Sequence, residues 1–289
     1  MSRILICLLS TFFTTIAHGQ SVEDLSFYAD IMVNAVEGKH RTRANQEFNT
    51  LFDQYIRSSS FDAEALKEVK YISQQSTDNA DFTIYTWQLK ASENSYKSFG
   101  YIKMHSGEVH ELKSVPHEEI DMPYELYGAQ DWLGMLYYKI MPTMVEGKDA
   151  WLLFGYDGFS KLEHRKVLDV LSFDEAGQPV FGAEIFKKEE KSSRDNISNR
   201  IVLRYSMDSN VTLNYNPNLD IIMHDHLINR MGRIPGQGET WLSDGSYEGY
   251  KWDGSMWVYD EKVFEQITEE GNYPRPVPVL DMRKEGRGK

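Results

Sequence analysis

The residues best placed to do chemistry are His224-Asp225-His226. In an extended strand, residues i and i+2 point to one face, so two imidazoles in this spacing can be offered to a single metal ion. A metal site needs a fuller ligand set. The third donor would come from Glu163, His164, His105 or His110, among which the sequence does not choose. The plainer role for His224 and His226 is structural, as hydrogen-bonded histidines beside Ile222. Asp225 falls on the opposite face with Met223 and Leu227, where a carboxylate among apolar neighbours serves best as a hydrogen-bond acceptor for backbone.

The second candidate is the aromatic run SYEGYKWDGSMWVYD at 246–260. Asp253-Gly254 is the pair that a two-residue type I′ turn demands, because both central positions need positive φ. That turn predicts a register with Trp252 facing Ser255, Tyr250 facing Trp257 and Glu248 facing Tyr259. Tyr250, Trp252, Trp257 and Tyr259 then share one face, either as a core-facing ladder or as a platform on which a ligand stacks.

Other catalytic patterns are incomplete. GFSKL (158–162) lacks the closing glycine of a nucleophile elbow, and GQGETW (236–241) holds two of three dinucleotide glycines with no helix to follow. HELKS (110–114) and HEEID (117–121) lack the second histidine of a zinc protease. Acid pairs such as Glu118-Glu119 and Glu189-Glu190 are adjacent on loops, an arrangement that does not converge as a glycosidase pair does. No cofactor-binding signature is present, so none is expected. Asn196-Ile197-Ser198 and Asn210-Val211-Thr212 match the glycosylation sequon.

The elements that must position these residues follow from periodicity. Leu25, Ala29, Met32 and Val36 form one helical stripe, opened by Ser21 and Asp24 as an approximate capping box. Ala44, Phe48, Leu51 and Tyr55 form a second after the turn at Gly38, and the two predict an antiparallel helix pair within residues 20–60. Residues 62–69 predict a short third helix. Strands rich in β-branched and aromatic residues follow at 82–89, 98–104, 134–141, 150–156, 166–173, 179–186, 199–206, 210–215 and 219–227, with helix an alternative for 161–171. Their connections are short, and such connections join only antiparallel neighbours. The expected fold is α+β and mainly β: the helix pair, then a long antiparallel meander over 61–265 forming a curled sheet or partly closed barrel, all one unit. Residues 115–131 and 187–198 read as loops, and the proline-rich 266–289 as an extended or disordered tail.

Two global features bound the setting. Residues 1–19 carry Arg3, an apolar run from Ile4 to Ile16 and the small-residue site Ala17-His18-Gly19, which predicts a signal peptide cleaved before Gln20 and hence a periplasmic or secreted protein. The apolar run is too short to span a bilayer comfortably, so no transmembrane anchor is expected. The single cysteine, Cys7, lies in this leader, leaving the remainder without thiol or disulfide chemistry. Against 44 Asp+Glu stand 31 Lys+Arg, a net charge of −13. That balance disfavours nucleic acid and suits solubility.

The blocks YTWQL (85–89), WLGMLYYKI (132–140), LLFGYDG (152–158), VLSFDEAGQPVFG (170–182), DHL (225–227) and DGSYEGYKWDGSMWV (244–258) together resemble an uncharacterised family of exported bacterial proteins. The resemblance implies an envelope protein with no assigned activity, and no catalytic residue to carry over. The expected function is a non-enzymatic binding or assembly module for an envelope partner or small ligand. The alternative is a hydrolase whose acids or His224 and His226 converge in a sheet cavity.

Overall fold

The computed structural model describes residues 22–188, 196–261 and 263. The leader with Cys7 and Ser21, residues 189–195 of the charged loop, and the tail at 266–289 lie outside them. A first helix, α1, covers 22–34 and is followed by α2 (Gly38–Ile56). Leu25, Ala29 and Met32 bury the expected face of α1, whereas Val36 lies beyond the helix end and is 93% exposed. In α2, Ala44, Phe48, Phe52 and Tyr55 are buried. A one-turn helix, α3 (Ala63–Leu66), is capped by Asp62, whose carboxylate accepts from the Glu64 and Ala65 N–H groups at 2.9 and 3.3 Å.

Among the described residues the strands form three open sheets stacked in layers, not one continuous meander. The first holds β1 (Ser73–Gln75), β2 (Phe82–Ser92), β3 (Ser95–Met104) and β4 (Val109–Lys113) in that order. Alternation divides its side chains. Tyr85, Trp87, Leu89 and Tyr101 pack on the helices, while Phe82, Ile84, Ile102 and Leu112 face away. The second sheet holds β5 (Tyr127–Gly128), β6 (Leu136–Val145), β7 (Lys148–Asp157), β8 (Glu163–Phe173) and β9 (Pro179–Phe181), with β12 (Ile201–Ser206) also paired to β8. Leu153, Val167 and Leu171 meet the first sheet, and Leu152, Phe154, Leu168 and Val170 meet the third. Both faces of β7 and β8 are therefore buried, which is why LLF and VLDVL read as nearly unbroken apolar runs. The region 163–173 is strand, not helix.

The third sheet contains β10 (Phe186–Lys187), β11 (Ile197–Ser198), β13 (Leu213–Asn216), β14 (Ile221–Met231), β15 (Glu239–Trp252) and β16 (Trp257–Asp260), in the order β11-β10-β16-β15-β14-β13. It departs from the expected topology in one pairing: β10 runs parallel to β16, Phe186 opposite Trp257. The expected strand at 179–186 is also broken in two. Gly182, at φ +103, ends β9, and a Cβ there would lie 2.6 Å from the Arg200 Nη2.

That arginine is the most constrained charge in the fold. β9 and β12 lie end to end along one edge of β8, with Arg200 at the junction. Its Nε donates to Asp169 Oδ1 at 3.0 Å, Nη2 to the Phe181 carbonyl at 2.9 Å, and Nη1 to the carbonyls of Met122 and, at 2.7 Å, Glu125. The guanidinium also lies 4.6 Å from the Tyr127 ring centroid. Both partners of the ion pair are fully buried, and burial raises the Asp169 pKa above the usual carboxylate range against the pull of Arg200.

The aromatic hairpin differs in register from the expected one. Trp252 faces Trp257, Lys251 faces Val258 and Tyr250 faces Tyr259, leaving a four-residue loop. Gly254 has φ +105 but Asp253 is not left-handed, so the type I′ turn is not made. The Asp253 carboxylate instead accepts from the N–H groups of Ser255 and Met256, both at 2.8 Å. The chain uses a two-residue turn with both φ positive elsewhere, at Glu146 (φ 51) and Gly147 (φ 77) between β6 and β7. A shift of two preserves the face, so Tyr250 and Trp257 are buried in the core between the second and third sheets, with Trp252 and Tyr259 half-buried beside them.

Two stability outcomes follow. Trp257→Ala is expected to cost about 3–5 kcal/mol in urea denaturation, as large-to-small core changes do, while Ser at exposed Ile120 stays within about 0.5 kcal/mol. Arg200→Leu, which strands the Asp169 carboxylate, is expected to cost about 3–5 kcal/mol. The double variant carrying Asp169→Leu as well should recover part of that loss.

Candidate functional site

The structure separates the two candidate histidines. β14 and β15 pair regularly up to Asp225, then the register shifts before Leu227, with Asp244, Gly245 and Ser246 bulged on β15. His226 is left near the surface, its Nδ1 2.9 Å from Asp244 Oδ2. His224 is 2% exposed and lies 3.5 Å, through Nδ1, from Glu248 Oε1. Each imidazole has its own carboxylate. Among the described residues no group of three or more His, Cys, Asp or Glu is placed to hold a metal ion. Of the further donors considered, His164 sits between the Tyr156 and Tyr205 rings, and Glu163 binds Arg204 and accepts from Thr240 Oγ1 at 2.9 Å. Asp225 accepts from the Thr212 N–H and the Ser243 hydroxyl, each at 2.6 Å.

What the fold does bring together is His224 with part of the aromatic hairpin. His224, Glu248, Tyr250 and Tyr259 line one cavity of about 210 Å³, together with Tyr124, Lys188 and residues of the 196–203 segment. The Tyr259 hydroxyl donates to Glu248 Oε2. His224 Nδ1 is 3.1 Å from the Asp225 carbonyl, which only accepts, so this nitrogen carries the proton and Nε2 is a bare lone pair. Trp252 and Trp257 pack on each other at 5.4 Å, away from the cavity.

A larger space lies elsewhere. A cleft of about 680 Å³ opens between β3 and β4 of the first sheet and the turn joining β7 to β8. Its floor is a chain of hydrogen bonds. Gln88 donates to Asp157 Oδ1 and to Ser98 Oγ, both at 2.9 Å, and Ser98 donates to the Gly134 carbonyl at 2.9 Å. Arg165 grips Asp157 Oδ2 through Nε and Nη2 at 3.0 and 2.6 Å, so the pair adds no net charge. Phe159 covers Arg165 at 4.2 Å from the ring centroid, in a backbone conformation of φ +45 that a phenylalanine rarely adopts. The apolar walls come from Tyr96, Phe99, Val115, Met122 and Leu133, and Lys97, Lys113 and Glu111 stand among the polar lining.

The sequence reading missed this cleft because its lining is scattered along the chain from Asn49 to Arg165, including part of the 115–131 region read as irregular loop. The one local clue was YDGF at 156–159, where an acid and a glycine end an apolar strand.

No helix among the described residues is long and apolar enough to cross a membrane. The chain matches no protein-family model, no curated protein and no solved structure.

The histidines give opposite pH dependences. Burial lowers the pKa of His224 and of His164, whereas the hydrogen bond that His226 donates to Asp244 raises that of His226. Below the unfolded value of about 6.5, the unfolded chain binds the protons that buried His224 refuses, so this group costs stability as pH falls. His226 works the other way, adding stability in acid that fades as pH rises through its folded value. Denaturation between about pH 7.5 and 5.5 should therefore show a shallower acid loss for His224→Gln and a steeper one for His226→Ala.

Proposed function

We propose that this protein is an exported, non-enzymatic binding module of the bacterial envelope that holds a small amphiphile in the 680 Å³ cleft. The observation that carries this reading is the construction of the cleft. Its size falls in the range of small-molecule sites, about 300–1,000 Å³, and its walls are aromatic and aliphatic over a polar floor. The floor's carboxylate is already satisfied by Gln88, Arg165 and the Phe159 N–H. With that pair neutral, Lys97 and Lys113 outweigh Glu111 in the lining, an acceptable setting for one anionic head group on a chain of net charge −13. Export is supported by the leader pattern in residues 1–19, and the envelope setting by the resemblance of the sequence blocks to exported bacterial proteins.

A hydrolase is the other reading, and His224 with its bare Nε2 beside Glu248 favours it. That chemistry needs a nucleophile within hydrogen-bond reach of the base. Among the described residues, no side chain is hydrogen-bonded to His224 Nε2.

The binding reading is tested with 1-anilinonaphthalene-8-sulfonate, which joins fused rings to one anionic group, and with dodecanoate as competitor. The dye should bind the folded protein one to one and be displaced by dodecanoate. Lys97→Glu together with Lys113→Glu should weaken it about tenfold, equivalent to about 1.4 kcal/mol. Dye binding unchanged in that variant, or absent from the native state, would reject the cleft as the site.

A further inference from the structure

The small cavity at His224 is distinct from the cleft and has its own unmet chemistry. Two polar groups in its lining lack a hydrogen-bond partner among the described residues, and one of them is fully buried. His224 Nε2 is one: the ring is 2% exposed, and its other nitrogen is spent on the Asp225 carbonyl and the Glu248 carboxylate. The Tyr250 hydroxyl is the other: it makes no hydrogen bond among the described residues but is not sealed off as Nε2 is, and its ring is fixed at 5.9 Å from Phe186 and 5.6 Å from Tyr259. Leaving a buried polar group unpaired is costly, so Nε2 in the lining, with an uncommitted hydroxyl near it, marks a place made for a polar occupant.

We propose that this cavity is a second binding site, for a small neutral polyhydroxylated ligand of monosaccharide size. The two unmet groups ask for opposite things. Nε2, as a lone pair, needs a donor, and the Tyr250 hydroxyl is free to donate to an acceptor. A hydroxyl group supplies both at once. Neutrality follows from the charges: Glu248 repels an anion, while Lys188 in the same lining repels a cation. Burial keeps His224 uncharged near neutral pH, so it adds no attraction for an anion. The volume agrees, since about 210 Å³ has room for several water-sized polar groups. The Tyr124, Tyr250 and Tyr259 side chains lining the cavity supply the apolar surface on which the C–H faces of a sugar rest. A metal ion fits less well, because no third ligand stands with His224 among the described residues.

The test is an NMR titration of the ¹⁵N-labelled imidazole of His224 in the full-length protein, with glucose, galactose, N-acetylglucosamine and inorganic phosphate as separate probes. The expected result is a saturable Nε2 shift with at least one of the sugars and none with phosphate. Tyr250→Phe removes a single hydroxyl and leaves the ring contacts in place. It should retain a native spectrum and weaken that sugar at least tenfold. Tyr259→Phe, which frees a Glu248 oxygen, should retain binding. A cavity that holds water alone would show no shift with any sugar, and that outcome overturns the proposal. Saturable phosphate binding, or sugar binding unaltered by Tyr250→Phe, overturns it equally.

Discussion

The structure is organised around one buried charge. Arg200 has no access to water, and an unpaired guanidinium in that position would cost several kcal/mol, so its surroundings must supply acceptors. They come from separate parts of the chain: the Asp169 carboxylate of β8, the Phe181 carbonyl at the end of β9, and the Met122 and Glu125 carbonyls of the loop after β4. Meeting that demand fixes where β9 stops and β12 starts along the same edge of β8. It also requires glycine at 182, where any side chain would displace the guanidinium. Asn199, the neighbouring residue, adds a backbone hydrogen bond to the Pro123 carbonyl at 2.7 Å, so the loop is held at two adjacent points.

That loop is what joins the two sites. Val115, Pro116, His117 and Met122 line the cleft on one side, and Pro123 and Tyr124 line the small cavity on the other. A stretch with little regular secondary structure thus walls both, and it keeps its shape because its carbonyls are committed to a buried cation. Loops hold such positions when their backbone polar groups are satisfied from a rigid scaffold. Here the scaffold is the central sheet, packed on both faces.

The layers were largely legible in the sequence, because each depends on local alternation. Tyr85, Trp87 and Leu89 against Phe82 and Ile84 announce a strand with two buried faces, and Leu25, Ala29 and Met32 announce a helix with one. The grouping of strands into three sheets was not legible, since pairing order and stacking are non-local. The parallel pairing of β10 with β16 is the clearest instance. The hairpin shows a subtler limit. Asp253-Gly254 fits two turn types, and the carboxylate's hydrogen bonds to Ser255 and Met256 select the longer loop, moving the register by two while sparing the face. The same gap explains the candidate sites. His224 and His226 look equivalent by spacing, yet a bulge on the partner strand gives them different environments. Asp169 reads as an interruption in an apolar run until Arg200, thirty-one positions away, is placed beside it.

The parallel pair has a consequence for how the molecule comes into being. β10 is only two residues long, and its parallel neighbour is the last strand described, so Phe186 cannot gain that partner until the chain through Trp257 has been laid down and folded back. All of β11 to β15 intervenes, and closing so long a segment carries an entropic cost that contacts between adjacent hairpins do not meet. The first two sheets are built mainly from near-neighbour pairings and have no such wait. Assembly of the third sheet therefore contains the longest strand-to-strand closure among the described residues, and a nascent polypeptide stopped short of Trp257 would present β10 with an open edge, the kind of surface on which strands from other molecules recruit.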